Sequence, residues 1–149
     1  MIRITKIFHF EAAHLLKDYD GPCKNIHGHS YELHVTVIGL PINNTNNPKN
    51  GMVMEFSDFK EIIEKLIIKK LDHSLILPAL ADPLLIKTLT ELDHKIVLKD
   101  FQPTCENLLY DFAQSISENL PQHIKLKHIK LFETASSYAE WDADDQASI

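Results

Sequence analysis

Residues 23–29 read CKNIHGH, in a chain with two cysteines and nine histidines. In an extended strand, side chains two positions apart project to the same face, so His27 and His29 can both reach one divalent ion. Gly28 between them leaves the opposite face unobstructed. His14, at the end of FEAAH, supplies a third imidazole. Three neutral imidazoles leave one tetrahedral position open, the pattern of a catalytic zinc rather than a structural one. Taken alone, an H-x-H pair also fits two unrelated surface histidines.

Cys23 lies among the turn residues of DGPCKN and carries three readings. As a fourth ligand it would close the site and make it structural. As a thiolate beside a metal and imidazoles it would ionise readily and serve as base or nucleophile. As a plain thiol it would be a small buried apolar group, against which the flanking turn residues argue. Cys105, in a helix's first turn, reads as packing. In LDHS (71–74), His73 beside Asp72 suits proton transfer, the carboxylate orienting or charging the ring. A histidine interacting with a helix C-terminus fits the same position. Glu133 closes the run IKLFE on the face shared with Ile129 and Leu131. An inward carboxylate is costly unless paired, so it either meets a cation or N–H donors or sits at the strand's rim.

The length suits one domain over residues 1–149, large enough to bury a core without disulfides or a structural metal. A net charge of −6 argues against a nucleic-acid groove, which needs a basic stripe. Two cysteines make no disulfide framework, the N-terminus alternates instead of forming an apolar leader, and no run approaches a membrane span. The expectation is a cytoplasmic protein with reduced thiols and no membrane or nucleic-acid partner.

MIRITKIFHFEAAH (1–14) and SYELHVTVI (30–38) alternate as half-buried strands, the second with Tyr31, Leu33, Val35 and Val37 inward. PINNTNNPKNG (41–51) reads as a long hairpin loop, with GMVMEF (51–56) as the hairpin partner of the strand before it. SDFKEIIEKLIIKKL (57–71) turns helical, with Ser57 as N-cap and a stripe of Phe59, Ile62, Ile63, Leu66, Ile67 and Leu71. A second helix over 103–120 carries Leu108, Leu109, Phe112, Ile116 and Leu120. IKLKHIKLFE (124–133) and SYAEW (137–141) return to strand, and residues 141–149 form an acidic tail expected to fray. Within 74–102, PALADPLLIKTLTEL fits a short helix and HKIVL a weak strand. Sequential strands with segregated helices define α+β with an antiparallel sheet.

FEAAH, C-x3-HGH-x-Y, GMVMEFSDFK, LDH, PTCEN and ETASSYAEW occur in this order, and together they resemble the family of 6-pyruvoyl-tetrahydropterin and 6-carboxytetrahydropterin synthases. The resemblance implies the tunnelling fold: an antiparallel four-stranded sheet with two helices on one face. Subunits would join their sheets into a barrel, as a homohexamer made of two trimers. It implies Zn2+ on His14, His27 and His29, with Cys23 as the catalytic base and Asp72 and His73 relaying its proton. Glu133 would anchor a pterin by accepting from its N–H and amino groups. Thr104, Cys105 and Glu106, with Asn107, would line the pterin pocket from a neighbouring subunit.

The three-residue spacer KNI and ETASSYAEW resemble the bacterial 6-carboxytetrahydropterin synthases. Their implied reaction is a lyase step: 7,8-dihydroneopterin triphosphate gives 6-carboxy-5,6,7,8-tetrahydropterin, acetaldehyde and triphosphate, on the way to queuosine. The alternatives are a 6-pyruvoyl product or a non-catalytic zinc-dependent pterin binder, and the intact set Cys23, Asp72 and His73 speaks against the binder. One departure is the connection of about thirty residues between LDHS and PTCEN, longer than is usual in the family.

Overall fold

Alternation of apolar and polar residues over the first fourteen positions makes a long strand, and the same alternation after residue 27 makes its partner. Residues 1–146 are described in a computed structural model. In chain order the elements are β1 (Ile2–His14), β2 (His27–Gly39), α1 (Phe56–Ile63), a π-helical stretch (Glu64–Ile68), α2 (Lys69–Leu71) and β3 (Ser74–Pro78). There follow α3 (Pro83–Glu91), β4 (Ile96–Lys99), α4 (Cys105–Asn119), β5 (Ile124–Thr134), β6 (Ser137–Asp142) and α5 (Ala143–Gln146). β1 and β2 pair antiparallel over their whole length, from Ile2 against Gly39 to His14 against His27. Alternation sends Phe8, Phe10, Ala12, Tyr31, Leu33, Val35 and Val37 to one buried face. Glu11, Ala13, Gly28 and Ser30 fall on the other.

The helices cover the apolar face. In α1, the π stretch and α2, the buried residues Phe59, Ile63, Ile67 and Leu71 recur every fourth position. Regular α winding of 3.6 residues per turn would carry such a row off its face; the wider π winding keeps it against the sheet. α4 lies beside it through Leu108, Leu109, Phe112 and Ile116, and Phe112 meets Phe10 edge-on at 6.4 Å.

Several expectations need correction. The sheet has six strands in the order β4-β3-β1-β2-β5-β6, and it is mixed. The antiparallel four are β1, β2, β5 and β6, while β3 and β4 add two parallel pairings at one end. Residues 51–56 are no strand: both edges of β2 are taken by β1 and β5, so no hairpin partner fits. That segment instead exchanges two backbone hydrogen bonds with Ile42, and Gly51 takes a φ of 86° that favours glycine. The first helix begins at Phe56, with Glu55 rather than Ser57 at the N-cap and no side-chain cap. The acidic tail is held as far as Asp144, because Lys127, buried to 7% exposure, pairs with Asp142 and Asp144. Residues 147–149 of the expected frayed segment lie outside the described residues.

Candidate metal centre and active site

The register of β1 against β2 sets His14 opposite His27 and Ala12 opposite His29. Three imidazoles therefore share the helix-covered face at one end of the sheet, with ring centroids 4.5, 5.0 and 5.1 Å apart. One ligand nitrogen from each lies within 4.8 Å of the others.

The tautomers follow from the partners. His14 Nδ1 lies 2.8 Å from the Pro103 carbonyl and His27 Nδ1 lies 2.8 Å from the Asn25 carbonyl. A carbonyl oxygen only accepts, so both Nδ1 atoms carry the proton and both Nε2 atoms present lone pairs. Those two Nε2 atoms face each other at 3.0 Å. Two lone pairs that close repel unless a cation lies between them. Among the described residues, His29 Nε2 is buried with no hydrogen-bond partner. Zinc–imidazole bonds of about 2.0–2.1 Å in a tetrahedron space the nitrogens by about 3.3 Å, so this donor set fits a divalent ion. Burial holds His14 and His29 below the ordinary imidazole pKa, and the adjacent His27 pushes the same way against the opposing pull of Glu133. Both are thereby kept neutral and competent to ligate.

Glu133 Oε1 lies 3.7 Å from His14 Nε2 and 3.7 Å from His29 Nε2. It sits where the β5–β6 register shifts between Phe132 and Thr134, a bulge that re-aims the side chain. Cys23 lies on a short 3-10 turn (Pro22–Lys24), half-exposed, and its carbonyl accepts from Leu16 N–H at 3.1 Å. Tyr31 stands behind the histidines, its ring 5.6 Å from His29 and stacked on Phe10 at 5.0 Å. Burial drives its phenol far above the ordinary value, reinforced by Glu133, Cys105 and Cys23, so it stays an O–H donor. That hydroxyl is buried without a partner.

Asp72 and His73 are bound at β1 and make no hydrogen bond to Cys23 among the described residues. Asp72 Oδ1 accepts from Glu11 N–H at 2.9 Å, and His73 Nδ1 lies 3.0 Å from Asp72 Oδ2. The Glu11 N–H is the main cause holding the Asp72 carboxyl below its usual range. His73 opens into a groove of about 470 Å³ with Glu11, Ala13, Gly28, Ser30, His94 and Lys95. Of its strand-borne walls, Glu11, Ala13, Gly28 and Ser30 belong to the face opposite the three histidines, while Ala12 and His29 border it as well. Gly28 keeps this wall thin, since a Cβ there would stand 3.3 Å from the Ala12 carbonyl oxygen.

The PTCEN segment also divides. Thr104 caps α4 by accepting from Asn107 N–H, Cys105 is buried and donates to the Leu131 carbonyl at 3.3 Å, and Glu106 is exposed. Three contributors escaped sequence reasoning: the Pro103 carbonyl, the Tyr31 hydroxyl and Lys95, whose ammonium donates to the Lys69 and Asp72 carbonyls. Backbone oxygens leave no mark in a sequence. A tyrosine instead of phenylalanine at a fully inward position was the one readable signal.

The chain belongs to the family described as 6-pyruvoyl tetrahydropterin synthase, which it matches over residues 3–144. Among curated relatives, the 6-carboxy-5,6,7,8-tetrahydropterin synthase of Haemophilus influenzae is 32% identical over 143 residues, covering 95% of this chain and 99% of its own. The Aquifex aeolicus protein of the same name is 33% identical, covering 93% and 96%. Among solved structures, an uncharacterized protein of Wolinella succinogenes aligns with a TM-score of 0.73 at 20% identity, covering 95% of this chain and 98% of its own. The 6-pyruvoyl tetrahydropterin synthase of Caenorhabditis elegans aligns with a TM-score of 0.66 at 21% identity, covering 95% of each chain. These likenesses establish the α+β tunnelling fold. No helix among the described residues is long and apolar enough to cross a membrane.

Proposed function

We propose that the protein is a zinc-dependent 6-carboxy-5,6,7,8-tetrahydropterin synthase. It converts 7,8-dihydroneopterin triphosphate and one water to the carboxy-tetrahydropterin, acetaldehyde and triphosphate, in the cytoplasm and toward queuosine. The reading rests on relatives of that name and on one observation above all: two facing imidazole lone pairs and a third unpartnered one, beside a carboxylate. His14, His27 and His29 would hold the metal, which supplies Lewis-acid polarisation of the substrate's side-chain hydroxyls. Cys23 takes the proton from the substrate carbon. Glu133 accepts from the pterin's N–H and amino edge, and the start of α4 (Thr104, Cys105 and Glu106) lines the ring's pocket, Cys105 from behind its buried thiol.

Asp72 and His73 would act on the Cys23 of a neighbouring copy: they are bound to Glu11 on the β1 edge, and Cys23 is not among the residues lining their groove. The open edges support such an assembly. β3 covers β1 only at Ala12–His14, leaving the rest of that edge free, and β6 ends the sheet on the other side. β1, β2, β5 and β6 alternate in direction, so a free β6 meets a free β1 of the next copy antiparallel and closes a barrel. The assembly we propose is a hexamer of two such trimers.

The test is a product assay. Zinc-loaded protein incubated with 7,8-dihydroneopterin triphosphate should release acetaldehyde and triphosphate in equal amounts. Triphosphate without acetaldehyde would assign the 6-pyruvoyl product, and neither would defeat the reading.

A further inference from the structure

The connection between β1 and β2, residues 15–26, carries Cys23 and is hydrogen-bonded to the elements beyond those two strands at one place among the described residues. Gln102 Oε1 accepts from the Lys17 backbone N–H at 3.0 Å, and Gln102 Nε2 donates to the Lys17 carbonyl at 2.6 Å. One side-chain amide thus satisfies both backbone groups of Lys17, as a neighbouring strand would. Among the described residues, these are the only hydrogen bonds reaching that connection from outside β1 and β2. Lys17 follows Leu16, whose N–H donates to the Cys23 carbonyl, so the clamp is one residue from the tie that fixes the cysteine.

Gln102 is itself immobilised. Its carbonyl accepts from Thr104 N–H at 2.8 Å and from Asn107 Nδ2 at 3.0 Å, anchoring it to the first turn of α4. The next residue, Pro103, gives the carbonyl that orients His14. Two adjacent residues therefore reach the metal-ligating imidazole through one backbone oxygen and the cysteine's connection through one side chain.

We propose that Gln102 is a positioning residue for Cys23, setting the thiol's distance from the three-histidine centre. The inference rests on the reading of Cys23 as the base of this site. Gln102→Met keeps the length of the side chain and removes both hydrogen bonds. Three measurements on the zinc-loaded protein decide the matter: amide exchange at Lys17, the alkylation rate of Cys23 by iodoacetamide with buried Cys105 as the slow internal control, and kcat against KM. In the variant, Lys17 protection should fall and the Cys23 rate should change by about fivefold, the equilibrium worth of one net hydrogen bond. The zinc content should hold, since the Pro103 carbonyl still orients His14, and kcat should fall with KM little moved. Gln102→Glu, which keeps the acceptor for the Lys17 N–H, should restore part of each effect. An unchanged Cys23 rate would overturn the proposal, whether or not Lys17 loses protection, because Gln102 would then be a structural tie only. Should the wild type not turn over the triphosphate, the functional reading fails while the exchange and alkylation results still judge the clamp.

Discussion

Cys105 donates its thiol to the Leu131 carbonyl from a position only 8% exposed, whereas Cys23 sits half-exposed on the Pro22–Lys24 turn. Desolvation pushes the Cys105 thiol up to about 11 from an ordinary value of 9.0, with Glu133 and Glu106 adding to the shift. In the folded protein it therefore keeps its proton where the unfolded chain has lost it. Between pH 9 and 11 the unfolded state binds fewer protons, so stability falls as pH rises, by up to about 1.4 kcal/mol per unit. Urea midpoints measured from pH 8 to 11 should decline more steeply for the wild type than for Cys105→Ala. Parallel curves would show that the thiol is not held protonated by burial. The same contrast makes Cys105 a slow internal control when the reactivity of Cys23 is read.

At the scale of elements, long periodic segments were legible and short ones were not. β1 and β2 alternate along most of their length, and the inward Phe8, Phe10, Ala12, Tyr31, Leu33, Val35 and Val37 are buried. Helix α4 likewise buries Leu108, Leu109, Phe112 and Ile116 as its stripe requires. β3 offers only SLILP, a five-residue apolar run that alternation cannot separate from a helix segment, and it pairs parallel with partners far away in sequence. GMVMEF looked like a hairpin strand because local signals cannot tell that both edges of β2 are already occupied. The three-histidine cluster was readable for a related reason: two of its imidazoles lie on one strand two residues apart, and the third ends the adjacent strand. The position of Asp72 and His73 was not, since it depends on which side of the sheet the helix's last turn meets Glu11.

For the whole molecule, the proposed assembly turns on the open edge of β1. The Glu11 N–H and carbonyl both point away from β2, toward Asp72 and His73. Counting back in twos along the strand, the N–H of Ile7 faces the same side, where β3 no longer covers β1, and Ile7 is 50% exposed. Proline there removes a donor that no hydrogen bond among the described residues uses. Light scattering should give an oligomer for the wild type and a smaller species for Ile7→Pro with the same circular dichroism; an unchanged mass would exclude this edge from the interface. Everything proposed for turnover depends on the three imidazoles converging on one ion. The most direct test is the zinc content of purified, zinc-exposed protein by mass spectrometry. The account predicts one ion per chain in the wild type and its loss in His27→Ala; a wild type without zinc, or a His27→Ala variant that keeps a full complement, would contradict it.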